Sequence, residues 1–522
     1  MSVPRRLAIV LHTHLPWVLS HGTWPHGEDW LFEATTHCYL PLLEMLQRRA
    51  RKGAKDQLTV TVSPVLVAQW RHGSFPAKLT AYMESRRRAA EEAGDLALAR
   101  FWQELFADRL RFFSAIDGDL AAAFGRLAHD GVIELGSCAA THAYLPLVHD
   151  LRSARLSLVL AAAYHRRVFG KAPRGVWLPE CAYRPAGAFR HPATGVSETF
   201  RPGLETLVAE AGFSWTVLDS HLLLGGKPAP SSAGEWAPAA TASSPSLYRP
   251  ALIAQSPVAA FFRDPHTSLQ VWSREHGYPG EERYLDFHKR HWPSGLKLWR
   301  VTHPKADLAD KQPYHPEEVA AALDSHAHHF LEVVAGLSEA ASGVVVAPFD
   351  TELFGHWWFE GVAFLEKVLE KAEGHPLVQP TTLSRELEVA EPSRVELPEG
   401  TWGEGGDHRV WVNPNTESFW RELAALEPQA WQALARESHR DGVRSALASE
   451  LLLVLASDWP FLVTTQAARD YAVRRFALHA QRLAHLLAAP SPLPPWVAED
   501  AVFPHGLLIS VLDEVLASAT AS

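Results

Sequence analysis

The chain has 522 residues, of which 47% are hydrophobic and 21% charged, and a formal net charge of -10. This composition is typical of a large globular protein and excludes a mainly disordered chain. The basic residues are scattered, so the sequence lacks the positive stripe with which nucleic-acid-binding proteins follow phosphates. Three cysteines, Cys38, Cys138 and Cys181, are too few for a disulfide framework and indicate a reducing compartment.

The hydropathy pattern argues against a membrane protein. No stretch approaches the roughly 20 apolar residues of a membrane-spanning helix, and the apolar run 451–456 is soon followed by Asp458. The N-terminus passes from Arg5 and Arg6 into a short apolar run without the small-residue cleavage site of an export signal. We therefore expect a cytoplasmic protein that binds neither membrane nor nucleic acid.

Short apolar runs recur through the first 350 residues, separated by helix-like or loop-like sequence, which is the pattern of parallel strands joined by crossovers. The predicted strands are the seven runs 7–14, 58–67, 132–141, 175–180, 213–219, 258–264 and 344–350. Most of them turn polar at their last residues. This pattern predicts an α/β fold, a distorted TIM-like (β/α)7 barrel, with the active site where the carboxyl ends of the strands meet.

Three other regions depart from the strand pattern. Residues 77–128 have helical periodicity and predict an inserted helical domain, and residues 417–520 predict amphipathic helices of a C-terminal bundle. Residues 225–250 are rich in Gly, Pro, Ala and Ser and predict a long loop over the barrel mouth. The predicted domains are a barrel of residues 1–76 and 129–395, an insertion of residues 77–128 and a helical domain of residues 396–522 that contributes to the active-site cleft.

The chain contains 19 tryptophans, and many of them lie beside polar or glycine-rich turns. Aromatic faces stack well on the apolar faces of sugar rings. Any single tryptophan has core packing as its alternative role, because aromatic residues dominate core burial. The excess as a group indicates a carbohydrate ligand.

Two carboxylates end predicted strands. Glu180 closes the segment GVWLPE, and Asp350 closes VVVAPFD. Two carboxylates at one barrel mouth are what a retaining glycosidase needs, one to attack the anomeric carbon and the other to move the proton. The alternative role of Asp350 is to cap the helix that follows.

Two histidines, His12 and His14, occupy alternate positions at the end of the first predicted strand. They are candidates for hydrogen bonds to sugar hydroxyls, for a metal site, or for satisfied core positions. A zinc site would need further ligands, for which His142, Asp219 and His221 are candidates, and would indicate a metal-dependent polysaccharide deacetylase.

Five segments in chain order resemble the ordered motifs of glycoside hydrolase family 57: HTHLP from His12, IELGSCAATHAYLPL from Ile133, WLPECAY from Trp177, APFDTELFGHWWFEG from Ala347 and SDWPFL from Ser457. The match spans nearly the whole chain. The third and fourth segments, with FFRDP from Phe261 and GYPG from Gly277, are most similar to the family's 1,4-alpha-glucan branching enzymes.

The resemblance implies a seven-stranded barrel, a helical C-terminal domain, a retaining mechanism and no required metal or cofactor. It assigns Glu180 as nucleophile and Asp350 as proton donor. By motif position it also implies that Arg263, Gly280, Trp402 and Asp458 contact glucan, and that His12, His14 and His142 line the subsite of the covalent intermediate. The aromatic candidates for sugar stacking are Trp272 and Trp411.

We therefore expect a monomeric branching enzyme that acts on an alpha-glucan such as amylose or a glycogen-type polymer. Transfer requires water to be kept from the intermediate, and the loop 225–250 is the candidate for this shield. Its aromatic residues are Trp236 and Tyr248. An alpha-glucan hydrolase with little branching activity and a non-catalytic carbohydrate-binding protein are the alternatives.

Overall fold

Strands and helices alternate along the chain in a computed structural model, which describes residues 4–93, 98–226, 246–273, 276–292, 294–337, 343–436 and 440–521. The strands are β1 (Arg5–Thr13), β2 (Leu58–Val62), β3 (Ile133–Cys138), β4 (Val176–Trp177), β5 (Gly187–Arg190), β6 (Ser197–Arg201), β7 (Trp215–Leu218), β8 (Ala251–Ile253), β9 (Ala259–Phe262), β10 (Val344–Asp350), β11 (Val378–Pro380) and β12 (Ser393–Val395).

The helices follow in the same order. They are α1 (Glu28–Ala34), α2 (Leu40–Arg51), α3 (Pro64–Trp70), α4 (Phe75–Glu92), α5 (Ala99–Ala115), α6 (Leu120–His129), α7 (Leu151–Phe169), α8 (Leu204–Glu210), α9 (His221–Leu224), α10 (Pro265–Trp272), α11 (Ala320–Gly336), α12 (Gly361–Ala372), α13 (Leu383–Val389), α14 (Glu417–Leu434), α15 (Asp441–Val454), α16 (Asp458–Thr464), α17 (Arg469–Ala488), α18 (Trp496–Glu499) and α19 (His505–Ala521). Among the described residues, no helix combines the length and the apolarity needed to cross a bilayer.

Seven parallel strands form the central barrel. β10, β1, β2, β3 and β4 lie side by side in that order, and β7 pairs with β9. Two single bridges join these groups into a ring, one between Gly175 and Trp215 and the other between Arg263 and Val346. These strands lie in the predicted runs, and the (β/α)7 barrel is confirmed. Because each junction is a single bridge rather than a ladder, the barrel is distorted.

The barrel interior has an apolar core of its own. Its buried members are Ala8, Val10, Cys138, Trp177, Cys181, Trp215, Val217, Ala259, Phe261, Val344, Val346 and Leu383. The Trp215 indole packs on the backbone of Gly175, where an added Cβ would lie 2.0 Å from the ring. Any larger residue at 175 would therefore force apart the two strands that this bridge joins.

Some predicted bounds were wrong. The second predicted strand, 58–67, ends at Val62, because Pro64 occupies the first turn of α3, where its fixed φ suits a helix. The fourth keeps only Val176–Trp177 as strand and continues as the 3-10 turn Pro179–Cys181. The antiparallel hairpin of β5 and β6 was not predicted from the sequence.

The predicted helical insertion contains α4 and α5, which pack against each other. Trp102 of α5 donates a hydrogen bond of 2.8 Å to the carbonyl of Lys297, which ties the pair to the segment before α11. The next helix, α6, packs on α2 and β3. The domain bounds themselves stay a prediction.

The C-terminal part is helical as predicted, with α15 packed on α14, α17 and α19. Its first helix, α14, runs through Pro428 without ending. The fully buried Glu427 accepts hydrogen bonds from the backbone N–H groups of His149 and Asp150, at 2.8 and 3.1 Å. These contacts anchor α14 to the barrel and offset the hydrogen bond that the proline removes.

Candidate active site

The site lies at the carboxyl ends of the barrel strands. His12 near the end of β1 is in register with Asp350 on one neighbour, β10, and with Thr61 on the other, β2. His142 follows β3, and Glu180 follows β4. The strand order therefore brings together two carboxyl groups and two imidazoles that are up to 338 residues apart in sequence.

Residues from the C-terminal part of the chain hold Glu180 in place by hydrogen bonds. The Ser457 hydroxyl donates to Oε1 at 2.9 Å, and the Trp402 indole N–H donates to Oε2 at 3.2 Å. The backbone N–H of Trp402 also donates to the Glu180 carbonyl, at 3.2 Å. Glu180 has a φ of 64°, a left-handed conformation that costs a residue with a side chain about 1–3 kcal/mol and persists where surrounding contacts enforce it.

The environment of Glu180 makes it a carboxyl near its titration point at neutral pH. Burial raises its pKa to about 7, the hydrogen bonds from Ser457 and Trp402 act against this rise, and the negative charge of Asp458 adds to it. The two donors stabilise the ionised form. Glu180 therefore has the surroundings of a carboxylate that works as an anion.

Asp350 has different surroundings. Its side chain makes no capping hydrogen bond to the turn that follows, so the helix-cap interpretation lacks support. Burial raises its pKa to about 7, the negative charges of Glu180 and Asp458 add to the rise, and Arg263 acts against it. A buried carboxyl beside another carboxylate holds its proton near neutral pH, as a general acid must.

A chain of hydrogen bonds leads from β2 to Glu180. His12 lies 3.1 Å from the Thr61 hydroxyl through Nδ1 and 3.0 Å from His142 Nε2 through Nε2. His142 Nδ1 lies 2.8 Å from the Ser457 hydroxyl. Burial lowers the pKa of both histidines well below the usual range, with neighbouring histidines adding to the effect, so each ring is neutral and carries one N–H.

Neutral rings fix the direction of this chain. The single Ser457 proton goes to ionised Glu180, which only accepts, so His142 must donate to Ser457 through Nδ1. His142 Nε2 then accepts from His12 Nε2, and His12 Nδ1 accepts from the Thr61 hydroxyl. Every donor in this relay, defined as Thr61, His12, His142 and Ser457, points towards Glu180.

His14 lies beside the relay rather than in it. Its ring stacks on His142 with centroids 3.9 Å apart, and its Nε2 lies 3.1 Å from an Asp458 oxygen. Its Nδ1 lies 2.8 Å from the Ser63 hydroxyl. His14 thereby positions Asp458 close to Glu180 and Asp350, the two carboxyls whose pKa is raised.

Two groups of side chains have the spacing of metal ligands, with ligand atoms within 4.8 Å of one another: His14, His142 and Asp458, and His12, Cys138 and His142. Both groups use His142, whose two ring nitrogens already take part in the relay. Neither group, among the described residues, contains the predicted ligands Asp219 and His221. Asp219 and His221 are hydrogen-bonded to each other at 2.9 Å, and Asp219 also forms an ion pair with Arg263.

The other predicted glucan contacts have different surroundings. Arg263 is buried against Asp219 and lies 5.8 Å from the ring centroids of both Trp272 and Trp402. Trp411 is fully buried and stacks on Tyr144, with centroids 4.8 Å apart. Gly280 is buried at the end of the 3-10 turn Tyr278–Gly280, which packs on α10.

Of the two predicted loop aromatics, the structure describes only Tyr248. Trp236 lies outside the described residues. Tyr248 is buried, and its carbonyl accepts a hydrogen bond of 2.9 Å from Val344, at the start of β10. Val344 precedes Asp350 by six residues, about 20 Å of strand. The expectation that Tyr248 overhangs the mouth is therefore wrong, because its backbone is tied to the opposite end of β10.

Residue-level reasoning missed Ser457, Thr61 and Trp177. Trp177 stacks on His12 with centroids 4.8 Å apart and an interplanar angle of 9°. Ser457 immediately precedes Asp458 in SDWPFL, and this proximity was the available signal. Thr61 gave no signal, because a threonine inside a β-branched strand is ordinary.

Comparisons with known proteins agree with this geometry. The model of glycosyl hydrolase family 57 matches residues 8–398, and the model of the C-terminal part of 1,4-alpha-glucan branching enzymes matches residues 423–491. The chain is 39% identical over 494 residues to a 1,4-alpha-glucan branching enzyme of Thermococcus kodakarensis, covering 91% of this chain and 72% of that protein.

Two solved structures resemble the whole fold. A crystal structure of a branching enzyme from Thermococcus kodakaraensis, in complex with glucose, aligns with a TM-score of 0.87 and 37% identity over 98% of this chain and 94% of that one. An alpha-amylase from Thermotoga maritima aligns with a TM-score of 0.79 and 26% identity over 97% and 99%. On the extent of the family match and the shared fold, the chain belongs to glycosyl hydrolase family 57.

Proposed function

We propose that the chain is a 1,4-alpha-glucan branching enzyme, which moves a segment of an alpha-1,4-linked glucan onto a glucan 6-hydroxyl with retention of configuration. The pair of partly buried carboxyls at the barrel mouth carries the proposal, because one has hydrogen-bond donors and the other has none from its turn. Similarity to a named branching enzyme over 91% of the chain supports the choice of reaction.

In the first displacement, a Glu180 oxygen attacks the anomeric carbon and the bond to the 4-oxygen of the departing chain breaks. Asp350 gives its proton to that oxygen. The hydrogen bonds from Ser457 and Trp402 favour the ionised nucleophile, whereas burial and the nearby negative charges favour the protonated acid. The environments therefore divide the two roles between the two carboxyls.

In the second displacement, ionised Asp350 takes the proton of a 6-hydroxyl as that oxygen attacks the anomeric carbon. The bond to Glu180 breaks, and Glu180 is again a carboxylate. Once Glu180 is esterified its charge is gone, so the pKa of Asp350 falls and Asp350 is ready to act as a base. The same residue can thus serve as acid and then as base.

The neutral histidines also suit this chemistry. A protonated His142 beside Glu180 would pair with the nucleophile and weaken its attack, but burial keeps the ring neutral. The relay supplies an oriented neutral donor through Ser457 instead. We infer that His12, His14 and His142, with Asp458, Arg263 and the predicted tryptophans, surround the reacting sugar.

Branching is tested by incubating the protein with amylose. Reducing ends are measured directly, and new alpha-1,6 linkages are measured after debranching. We expect new linkages to exceed new reducing ends. Reducing ends without new linkages would instead support a hydrolase, the second candidate, which the resemblance to an alpha-amylase favours.

Two controls complete this experiment. Glu180→Gln should abolish both signals while amylose is still bound, which separates an enzyme from a non-catalytic carbohydrate-binding protein. Metal-stripped protein should keep its activity. Activity that disappears on stripping and returns with zinc would contradict the metal-independent carboxylate mechanism. The deacetylase alternative would be supported by zinc-dependent release of acetate from an acetylated polysaccharide.

We further propose a cytoplasmic monomer with the domain bounds predicted above. The three cysteines are unpaired and buried, which suits a reducing compartment. Light scattering of the purified protein tests the monomer, since a mass well above 57.8 kDa would contradict it.

A further inference from the structure

A groove of about 190 Å³ lies beside the segment that follows Asp350. Aromatic and apolar side chains form much of its wall: Trp272, Pro279, Phe287, Leu353, Trp357 and Trp358. At about 30 Å³ for each water molecule, the groove holds roughly six waters, a space on the scale of one sugar ring.

The groove is continuous with the active site through two indoles. The Trp402 N–H donates to Glu180, and the Trp402 ring lies 5.6 Å from the Trp272 ring at 79°. Trp272 in turn lines the groove. An aromatic surface therefore runs from the nucleophile to the groove without leaving the barrel mouth.

The outer wall of the groove is an exposed aromatic pair. Trp357 is 51% exposed, and its ring centroid lies 4.3 Å from that of Phe287. The pair is fixed from behind, because the Lys297 ammonium lies 4.7 Å from the Phe287 ring centroid and 3.4 Å from the His356 carbonyl. A large ring that is held in place yet left open to solvent has the geometry of a stacking platform.

The inner wall is formed by indoles. Trp272 and Trp358 line the groove, and Trp358 as a whole is 2% exposed. Two polar residues, Asp286 and His288, also line it. Apolar rings with a few polar groups are the lining that a sugar ring needs, since it has an apolar face and a rim of hydroxyls.

We propose that this groove is a subsite for an alpha-1,4-glucan chain, occupied by a sugar away from the bond that reacts. Trp357 and Phe287 stack on the apolar face of the sugar. The inference rests on the proposed function, because continuity with the catalytic mouth selects glucan as the occupant. A glucan too short to reach the groove gains no binding affinity from it.

The test compares a long and a short glucan. Trp357→Ala and Phe287→Ala are each placed in the Glu180→Gln background, and binding of amylose and of maltose is measured by calorimetry. We expect amylose affinity to fall by about 2- to 10-fold, the range given by aromatic contacts, with maltose binding unchanged. Trp357→Phe keeps a ring and should restore most of the amylose affinity.

Phe200→Ala is the matched control, because Phe200 is 66% exposed on β6. It should leave amylose binding unchanged. If the Trp357→Ala variant binds amylose as tightly as the Glu180→Gln parent, the subsite proposal is wrong. It is also wrong if maltose loses as much affinity as amylose. If the Glu180→Gln parent itself fails to bind amylose, the proposed function fails instead, so the two failures are distinguishable.

Discussion

Glu180 and Asp350 stand at the same barrel mouth, both partly buried and both with a pKa raised to about 7. Their surroundings differ in origin. Glu180 receives donors from Trp402 and Ser457, far along the chain from the strands. Asp350 is governed by burial, by the charges of Glu180 and Asp458 and by Arg263. Burial and the charge of Asp458 raise the pKa of both carboxyls, but only Glu180 has hydrogen-bond donors that act against the rise.

This difference explains how two carboxyl groups in one site can have different roles at the same pH. Similar burial alone would leave both groups protonated or both ionised together. Here donors stabilise the ionised form of Glu180, whereas the charge of Glu180 itself stabilises the protonated form of Asp350. Substitutions that remove a carboxyl, a hydrogen bond or a charge one at a time test this difference.

The largest effect is expected from removing either carboxyl. Asp350→Ala should lower turnover by about 10²- to 10⁴-fold, the contribution of a general acid, and Glu180→Ala by at least as much. Adding azide with an activated alpha-glucosyl substrate separates the roles. We expect the beta-glucosyl azide from the Glu180 variant and the alpha-glucosyl azide from the Asp350 variant, identified by NMR.

The azide products are also the check on the assignment. An alpha product from the Glu180 variant would reverse the two roles. Thermal unfolding of both variants should resemble that of the parent, which shows that the lost rate is chemical.

A smaller effect is expected from Ser457→Ala, which removes the donor to Oε1 of Glu180. A hydrogen bond to a charged group contributes about 1.5–3 kcal/mol, so the pKa of Glu180 should rise by about one unit or more. The acid limb of the kcat/KM profile then moves to higher pH, because ionised Glu180 is the active form. Activity at neutral pH should fall by about 10-fold.

Ser153→Ala serves as the matched control for Ser457→Ala. Ser153 is equally buried, and its hydroxyl accepts a hydrogen bond from Trp431 at 2.8 Å. Its loss should lower stability and leave the pH profile in place. An unmoved acid limb in Ser457→Ala would show that the relay does not act on the nucleophile.

The smallest effect is expected from Asp458→Asn. The negative charge of Asp458 raises the pKa of both Glu180 and Asp350, so removing it should move both limbs of the profile to lower pH. The asparagine keeps the size of the side chain and can still bond His14. Asp441→Asn, with an exposed side chain on α15, should move neither limb. A shift of only one limb would mean that Asp458 acts on one carboxyl alone.

The barrel was predictable because strand patterns are local. Apolar runs that end in polar residues mark both the strands and the mouth, which is how Glu180 and Asp350 were found. The relay was not predictable from residues alone. Ser457 reaches Glu180 across 277 residues, and a single serine has no pattern that reveals its partner.

Tyr248 and Pro428 show the limits of composition. An aromatic in a loop rich in small residues suggested the mouth, yet Tyr248 is buried and its hydroxyl donates to Asp264. A proline inside a helix usually ends it, yet α14 runs through Pro428, and the neighbouring Glu427 ties it to His149 and Asp150. In both cases tertiary contacts overrode the local signal.

The hydrogen bonds to Glu180 have a consequence for the timing of synthesis. The strands that carry Glu180 and Asp350 leave the ribosome before residue 402, and Ser457 follows later still. A nascent chain therefore holds both carboxyls before it holds the groups that divide their roles. The full set of hydrogen bonds to Glu180 can therefore form only after Ser457, directly before α16, has been synthesised.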